Sequence, residues 1–165
     1  MIDFKNIAAT SKLYNFHSHT QFCDGHAEMP EFAAKAAEMG FSHYGFSPHS
    51  PVPIESPCNM KTDDVAEYLG IFNHLKQEYA GQVELFVSME IDYLGDYWGP
   101  SNEYFSKLPL DYRIGSVHFI PSGDTMVDTD GHFDSFKAKI LRQRHSLCRR
   151  HILRPDTEND CRRGT

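Results

Sequence analysis

Four short apolar runs, each closing on a polar side chain able to bind a metal, set the rhythm of this chain. Residues 13–18, 41–47, 83–91 and 112–119 read as strands, bounded by polar and turn-forming positions. Helical signals lie between them. Residues 28–39 have Pro30 near their start, alanines through the body and Gly40 just past the end. Residues 62–79 place Val65, Tyr68, Leu69, Phe72 and Leu75 near helical spacing, a stripe that reads as core, and Gly81 ends it. Residues 102–107 predict a shorter helix, and residues 1–13 a polar lead-in. Pro48, Pro51, Pro53 and Pro57 remove backbone donors from residues 48–58, which predicts a loop able to cover a substrate. Strands alternating with helices predict an α/β fold, with about four parallel strands in a sheet or barrel.

In such folds the chemistry gathers at the carboxyl ends of the strands. The first run leads into Tyr14-Asn15-Phe16-His17-Ser18-His19-Thr20-Gln21-Phe22-Cys23-Asp24-Gly25-His26. As the end of a buried strand, it would project His17 and His19 to the same side, because residues i and i+2 share a face. Two imidazoles on one side can share one metal ion. An isolated histidine pair is a weak signal, but the design recurs in Phe46-Ser47-Pro48-His49, Val87-Ser88-Met89-Glu90-Ile91-Asp92 and Ile114-Gly115-Ser116-Val117-His118-Phe119. His43, His74 and His132 lack such support and read as surface residues.

Composition narrows the class. A chain of 165 residues, 40% hydrophobic, can build one core, and nothing in it demands two. A formal charge of -7 and a pI near 5.7 argue against nucleic-acid or membrane-surface partners and suit metal ions. There is no apolar stretch of bilayer length and no basic start followed by an apolar run, so a cytoplasmic location is expected. Cys23, Cys58, Cys148 and Cys161 form no Cys-x-x-Cys pair and read as ordinary reduced thiols.

Taken together and in order, these motifs resemble the PHP superfamily (polymerase and histidinol phosphatase), and within it the histidinol-phosphate phosphatases. The residues carrying the likeness are His-Ser-His-Thr at 17–20 with Cys-Asp-Gly at 23–25, Gly-Phe-Ser-Pro-His-Ser-Pro at 45–51, Met-Glu-Ile-Asp-Tyr at 89–93, and Leu-Asp-Tyr-Arg-Ile-Gly-Ser-Val-His-Phe at 110–119. The resemblance implies the amino-terminal portion of a distorted β/α barrel of seven strands, with up to three divalent ions cleaving a phosphate monoester. It implies that His17 and His19 hold a first metal and that Glu90 bridges it to a second, bound by His118. His49 would bind a third with Asp24, His26 being the rival. Zinc, manganese or iron would suit these ligands, and such ions neutralise phosphate oxygens and lower the pKa of a bound water. The implied substrate is L-histidinol phosphate, in histidine biosynthesis. The alternatives are another small phosphate or nucleotide, or an inactive metal-binding fragment.

The chain also departs from that pattern. A complete barrel of about 250 residues would need roughly a hundred more, carrying a further histidine ligand and a terminal Asp-x-His pair. Gly131-His132-Phe133-Asp134 looks like the turn that supplies a later ligand, but it follows His118 too soon. From residue 141 onward there are seven arginines, no lysine and three acids, a charge of +4. Residues 1–140 carry eight lysines, one arginine and twenty acids, a charge of -11. Codons permitted by residues 141–164, read one base later, spell Tyr-Ala-Arg-Asp-Ile-Arg-Tyr-Val-Val-Asp-Thr-Phe-Tyr-Ala-Gln-Thr-Gln-Lys-Met-Ile-Ala-Glu-Gly-Gly, an amphipathic helix. The expectation is an incomplete phosphoesterase domain over 1–140, followed by an arginine-rich tail produced by a frameshift near Lys139 or Ile140.

Overall fold

The computed structural model describes residues 2–122, 125–130, 133–134 and 136–138, in two compact units that meet at Ser116 and Val117. The arginine-rich tail and His132 lie outside the described residues.

The first unit is a parallel α/β arrangement. Helix α1 (Phe4–Thr10) precedes strand β1 (Tyr14–Asn15), and α2 (Met29–Met39) leads to β2 (His43–Phe46). A 3-10 turn (Thr62–Asp64) opens α3 (Val65–Glu78), followed by β3 (Glu84–Val87), β4 (Glu90–Asp92), α4 (Glu103–Ser106) and β5 (Ile114–Ser116). Strands β1, β2 and β3 pair in that order, and β4 pairs with β5, all parallel. Only Ser88 and Met89 separate β3 from β4. Ser88 N donates to Phe46 O at 2.8 Å and His49 bridges Glu90, so the split strand keeps following β2 and its extension. The expected third strand is therefore one strand in two segments.

The helix signals work as chemistry dictates. At the start of α2 the Glu28 amide donates to Glu31 Oε2 at 2.9 Å, closing a capping box, and Gly40 takes the left-handed conformation (φ 75°) that ends the helix. On α3 the predicted stripe is buried at Val65, Tyr68, Phe72 and Leu75. These pack with Met29, Ala33 and Ala36 of α2 against Tyr44, Phe46, Leu85 and Val87 of the sheet. Burial of each large side chain contributes roughly 1.5–3 kcal/mol. The Tyr68 hydroxyl donates to Ser88 O at 2.7 Å, tying α3 to the joint between β3 and β4.

Three expectations change. The lead-in forms α1, capped where Asp3 accepts the Asn6 amide at 3.0 Å; its one buried position, Ile7, is too little to make an apolar period. Strand β1 is a two-residue edge strand, with Tyr14 41% exposed, because it pairs with β2 on one side only. The expected fourth strand stops at Ser116. Beyond it the second unit opens with an antiparallel hairpin, β6 (Phe119–Ser122) and β7 (Thr125–Asp128), where Phe119 begins a new element. Among the described residues, no helix is long and apolar enough to cross a membrane.

Candidate metal centre

Parallel pairing brings the carboxyl ends of β1, β2 and β3 to the same edge, and the candidate ligands follow each end. The chain after β1 stays extended, and Ser47 N donates to Ser18 O at 3.0 Å, which carries the pairing past β1 and holds His17 and His19 beside the end of β2. Their rings lie 5.1 Å apart between centroids. Just beyond β2, His49 brings its ring to 4.3 Å from that of His19.

Glu90, 7% exposed, opens β4 and sits among the three imidazoles. Its Oε2 lies 3.1 Å from His19 Nε2, 3.4 Å from His49 Nδ1 and 3.6 Å from His17 Nε2. One carboxylate oxygen thus faces three imidazole nitrogens, two from the segment after β1 and one from the segment after β2. Imidazole and carboxylate donors in this proportion fit zinc, manganese or iron, whose borderline character suits nitrogen and oxygen together.

Asp24 reaches the same place through a tight turn. Thr20 O accepts the amides of Cys23 and Gly25 at 3.0 and 3.2 Å, folding the segment back on itself. A Cβ at Gly25 would overlap the Thr20 backbone, so this position has room only for glycine. The turn sets Asp24 Oδ1 2.7 Å from His19 Nδ1 and Oδ2 3.8 Å from His49 Nε2. Burial opposes the charge on Asp24, but the hydrogen bond from His19 and the charges of His49 and His19 outweigh it and lower its pKa below the usual carboxylate value. His26 is exposed on the far side of Gly25, and Asp24 is the residue the turn delivers to the histidines.

Among the described residues of the first unit two donor groups result: His17, His19 and Glu90, and His19, Asp24 and His49, each with its ligand atoms within 4.8 Å of one another. His19 belongs to both, with Nε2 toward Glu90 and Nδ1 toward Asp24. His118 falls in the second unit, between β5 and β6, with Nε2 3.5 Å from Asp130. Outside the cluster, His74 is exposed beside Glu78, whereas His43 is partly buried, its ring stacked on Phe86 at 6.0 Å. A strand residue between two neighbours is more covered than a surface reading allows.

Sequence reasoning passed over three residues that lie against or near the candidate ligands. Ser47, fully buried, lies with Oγ 2.7 Å from His17 Nδ1. Asp92, also fully buried, shares a face of β4 with Glu90, and Asn59 joins it to the loop after His49. Ser47 and Asp92 stand inside the quoted motifs, so their adjacency to a ligand was the available signal. Asn59 gave none.

Comparison with known proteins follows the same lines. Residues 15–154 match the family model of the PHP domain. The chain is 33% identical over 117 residues to the Deinococcus radiodurans protein named probable histidinol-phosphatase, covering 66% of this chain and 43% of that protein. It is 27% identical over 135 residues to the Bacillus subtilis histidinol-phosphatase, covering 75% of this chain and 50% of that protein. Among solved structures, the protein assigned as histidinol phosphatase hisK in Listeria monocytogenes superposes with a TM-score of 0.64 at 25% identity, over 75% of this chain and 52% of that one. A Lactococcus lactis histidinol phosphate phosphatase, solved with zinc, L-histidinol and phosphate, shares the fold at a TM-score of 0.52 and 22% identity, over 83% of this chain and 52% of that one. The chain spans about half the length of the curated relatives it matches. With 140 consecutive positions aligned to one domain model and its parallel strands ending in a common donor cluster, the chain belongs to the PHP domain family.

Proposed function

We propose that this chain carries the metal-binding part of a phosphomonoesterase whose substrate is L-histidinol phosphate, hydrolysed to L-histidinol and phosphate in histidine biosynthesis. One observation carries the metal reading: Glu90 Oε2 lies within 3.6 Å of nitrogens on His17 and His19, which follow β1, and on His49, which follows β2. The substrate reading is supported by the histidinol-phosphatase names of the relatives. In this reading His17, His19 and Glu90 hold one ion, His49 and Asp24 hold another, and His118 serves a further one. Bound divalent ions supply charge neutralisation at the phosphate oxygens and a water acidic enough to ionise near neutral pH.

The chain's own residues do the arranging. Glu90 and Asp24 present anionic oxygens at the two ring nitrogens of His19, adding negative charge where a divalent cation would sit. Ser47 orients the His17 ring and the Gly25 turn fixes Asp24.

The test measures phosphate release from L-histidinol phosphate with zinc or manganese, by the 165-residue chain and by a version continued in the alternate frame. Release by the continued version, lost on chelation and restored by metal, supports the reading. Equal inertness of both toward histidinol phosphate, with release from another phosphomonoester, overturns the substrate. Inertness of both toward every phosphomonoester tried overturns the activity.

A further inference from the structure

The proline-rich segment after β2 is pinned at both ends. Its first residues hold to β4: Glu90 N donates to Pro48 O at 3.0 Å and Ser50 N to Glu90 O at 2.8 Å. Its last turn folds back on its first, where Met60 N donates to His49 O at 3.2 Å. Between these points one side chain spans the opening. Asn59 donates through Nδ2 to Ser50 O at 2.8 Å, accepts the Ser56 hydroxyl at 2.5 Å, and directs Nδ2 to Asp92 Oδ2 at 3.4 Å.

Asp92 is fully buried at the end of β4, two residues beyond Glu90 on the same face. One of its carboxylate oxygens also comes within 4.8 Å of a ring nitrogen of His49. A buried carboxylate is costly unless it is hydrogen-bonded, so its place beneath the loop calls for a partner, and the Asn59 amide is one. The loop carries four prolines and little regular structure to hold its shape. The contacts of Asn59 and the His49–Met60 bond set that shape, and His49 stands at its base.

We propose that Asp92, acting through Asn59, is a positioning residue for the His19–Asp24–His49 donor group: the pair clasps residues 48–60 closed, so that His49 is presented to Asp24. This rests on reading those three residues as metal ligands. The clasp works by removing alternative loop conformations before a cation arrives, so its loss is felt as weaker binding at unchanged ligand identity.

The experiment titrates the 165-residue chain with cobalt(II), reading the visible absorption of the bound ion, and measures amide exchange in peptides covering residues 48–60. Parent, Asn59→Ala and Asp92→Asn are compared. Asn59→Ala is expected to weaken cobalt binding roughly tenfold and to speed exchange within that loop alone. Asp92→Asn keeps an oxygen that can accept from Asn59 and is expected to retain most of the affinity and protection. Should Asn59→Ala loosen the whole fold, Ser56→Ala, which removes only the hydroxyl bonded to Asn59, is held to the same two expectations. Parental affinity in Asn59→Ala overturns the clasp. Asp92→Asn losing as much cobalt as Asn59→Ala, with the loop still protected, overturns the route through Asn59 and makes Asp92 a ligand. Failure of the parent to bind cobalt overturns the metal reading and the positioning role with it, a result distinct from a failed clasp.

Discussion

Ser47 Oγ lies 2.7 Å from Nδ1 of His17, and the same oxygen accepts the Ser18 amide at 3.2 Å. With the Nδ1 proton given to Ser47, the lone pair of His17 resides on Nε2, which faces Glu90 at 3.6 Å. A hydroxyl can accept both bonds, and when His17 donates from Nδ1 its Nε2 is the nitrogen left to bind a cation, so Ser47 holds the ring in a binding orientation. Ser47→Ala should therefore lower zinc affinity roughly tenfold while leaving the fold cooperative. Calorimetric zinc titration beside a thermal melt checks this; unchanged affinity would show that the ring is held by other contacts.

Gly25→Ala tests the turn that delivers Asp24. The new methyl group would overlap the Thr20 backbone, and the backbone must shift to admit it. A destabilisation of about 1–3 kcal/mol is expected, in line with forced overpacking, together with loss of the second donor group. Urea unfolding measures the first effect and metal stoichiometry the second.

Tyr112 braces the sheet from its other face. Its hydroxyl donates to Phe16 O at 2.5 Å, and its ring meets those of Phe4 and Phe16 edge-on at 5.5 and 5.8 Å. Tyr112→Phe keeps the ring and leaves the Phe16 carbonyl without this donor, at a cost of about 1–3 kcal/mol by urea unfolding.

The same phenol makes stability depend on alkaline pH. Burial pushes the Tyr112 pKa far above its ordinary value. The folded state thus favours the neutral phenol, and its contribution is complete below the unfolded value of about 10. It is lost as pH rises from there through the folded value. Stability curves of parent and Tyr112→Phe should converge above about pH 10; parallel curves there would contradict the assignment.

The reading of residues 141–165 as a shifted frame makes a separate prediction. Resequencing the locus around the codons for Lys139 and Ile140 should find a one-base difference that joins residues 1–140 to the alternate-frame helix. An unbroken frame, with no such helix encoded downstream, sinks that proposal.

Much of the site was legible because metal ligation demands a few residue types at fixed places relative to strand ends. The i, i+2 spacing of His17 and His19, the His49 after Ser47-Pro48, and Glu90 after an apolar run are each visible in one dimension. The supporting residues were less visible. Ser47 and Asn59 are ordinary polar residues whose role depends on what folds against them, and α1 buries one residue, too few to leave a period. The hairpin after Ser116 was hidden by continuity, since apolar residues run on across the point where one strand ends and the next begins.

Sequence by itself determined the alternation of strands and helices, the helix ends at Pro30 and Gly40, and the list of candidate donors for a metal. These follow from local rules: the two-residue period of a strand, the helical stripe of α3, and the conformational freedom of glycine. Tertiary structure decided which donors meet. Asp24 in preference to His26, the double engagement of His19, the enclosure of Glu90 by three imidazoles, and the Asn59–Asp92 link all depend on parallel register and a closed turn. Distances between side chains far apart in the chain are set by how the elements pack, and no local pattern encodes them.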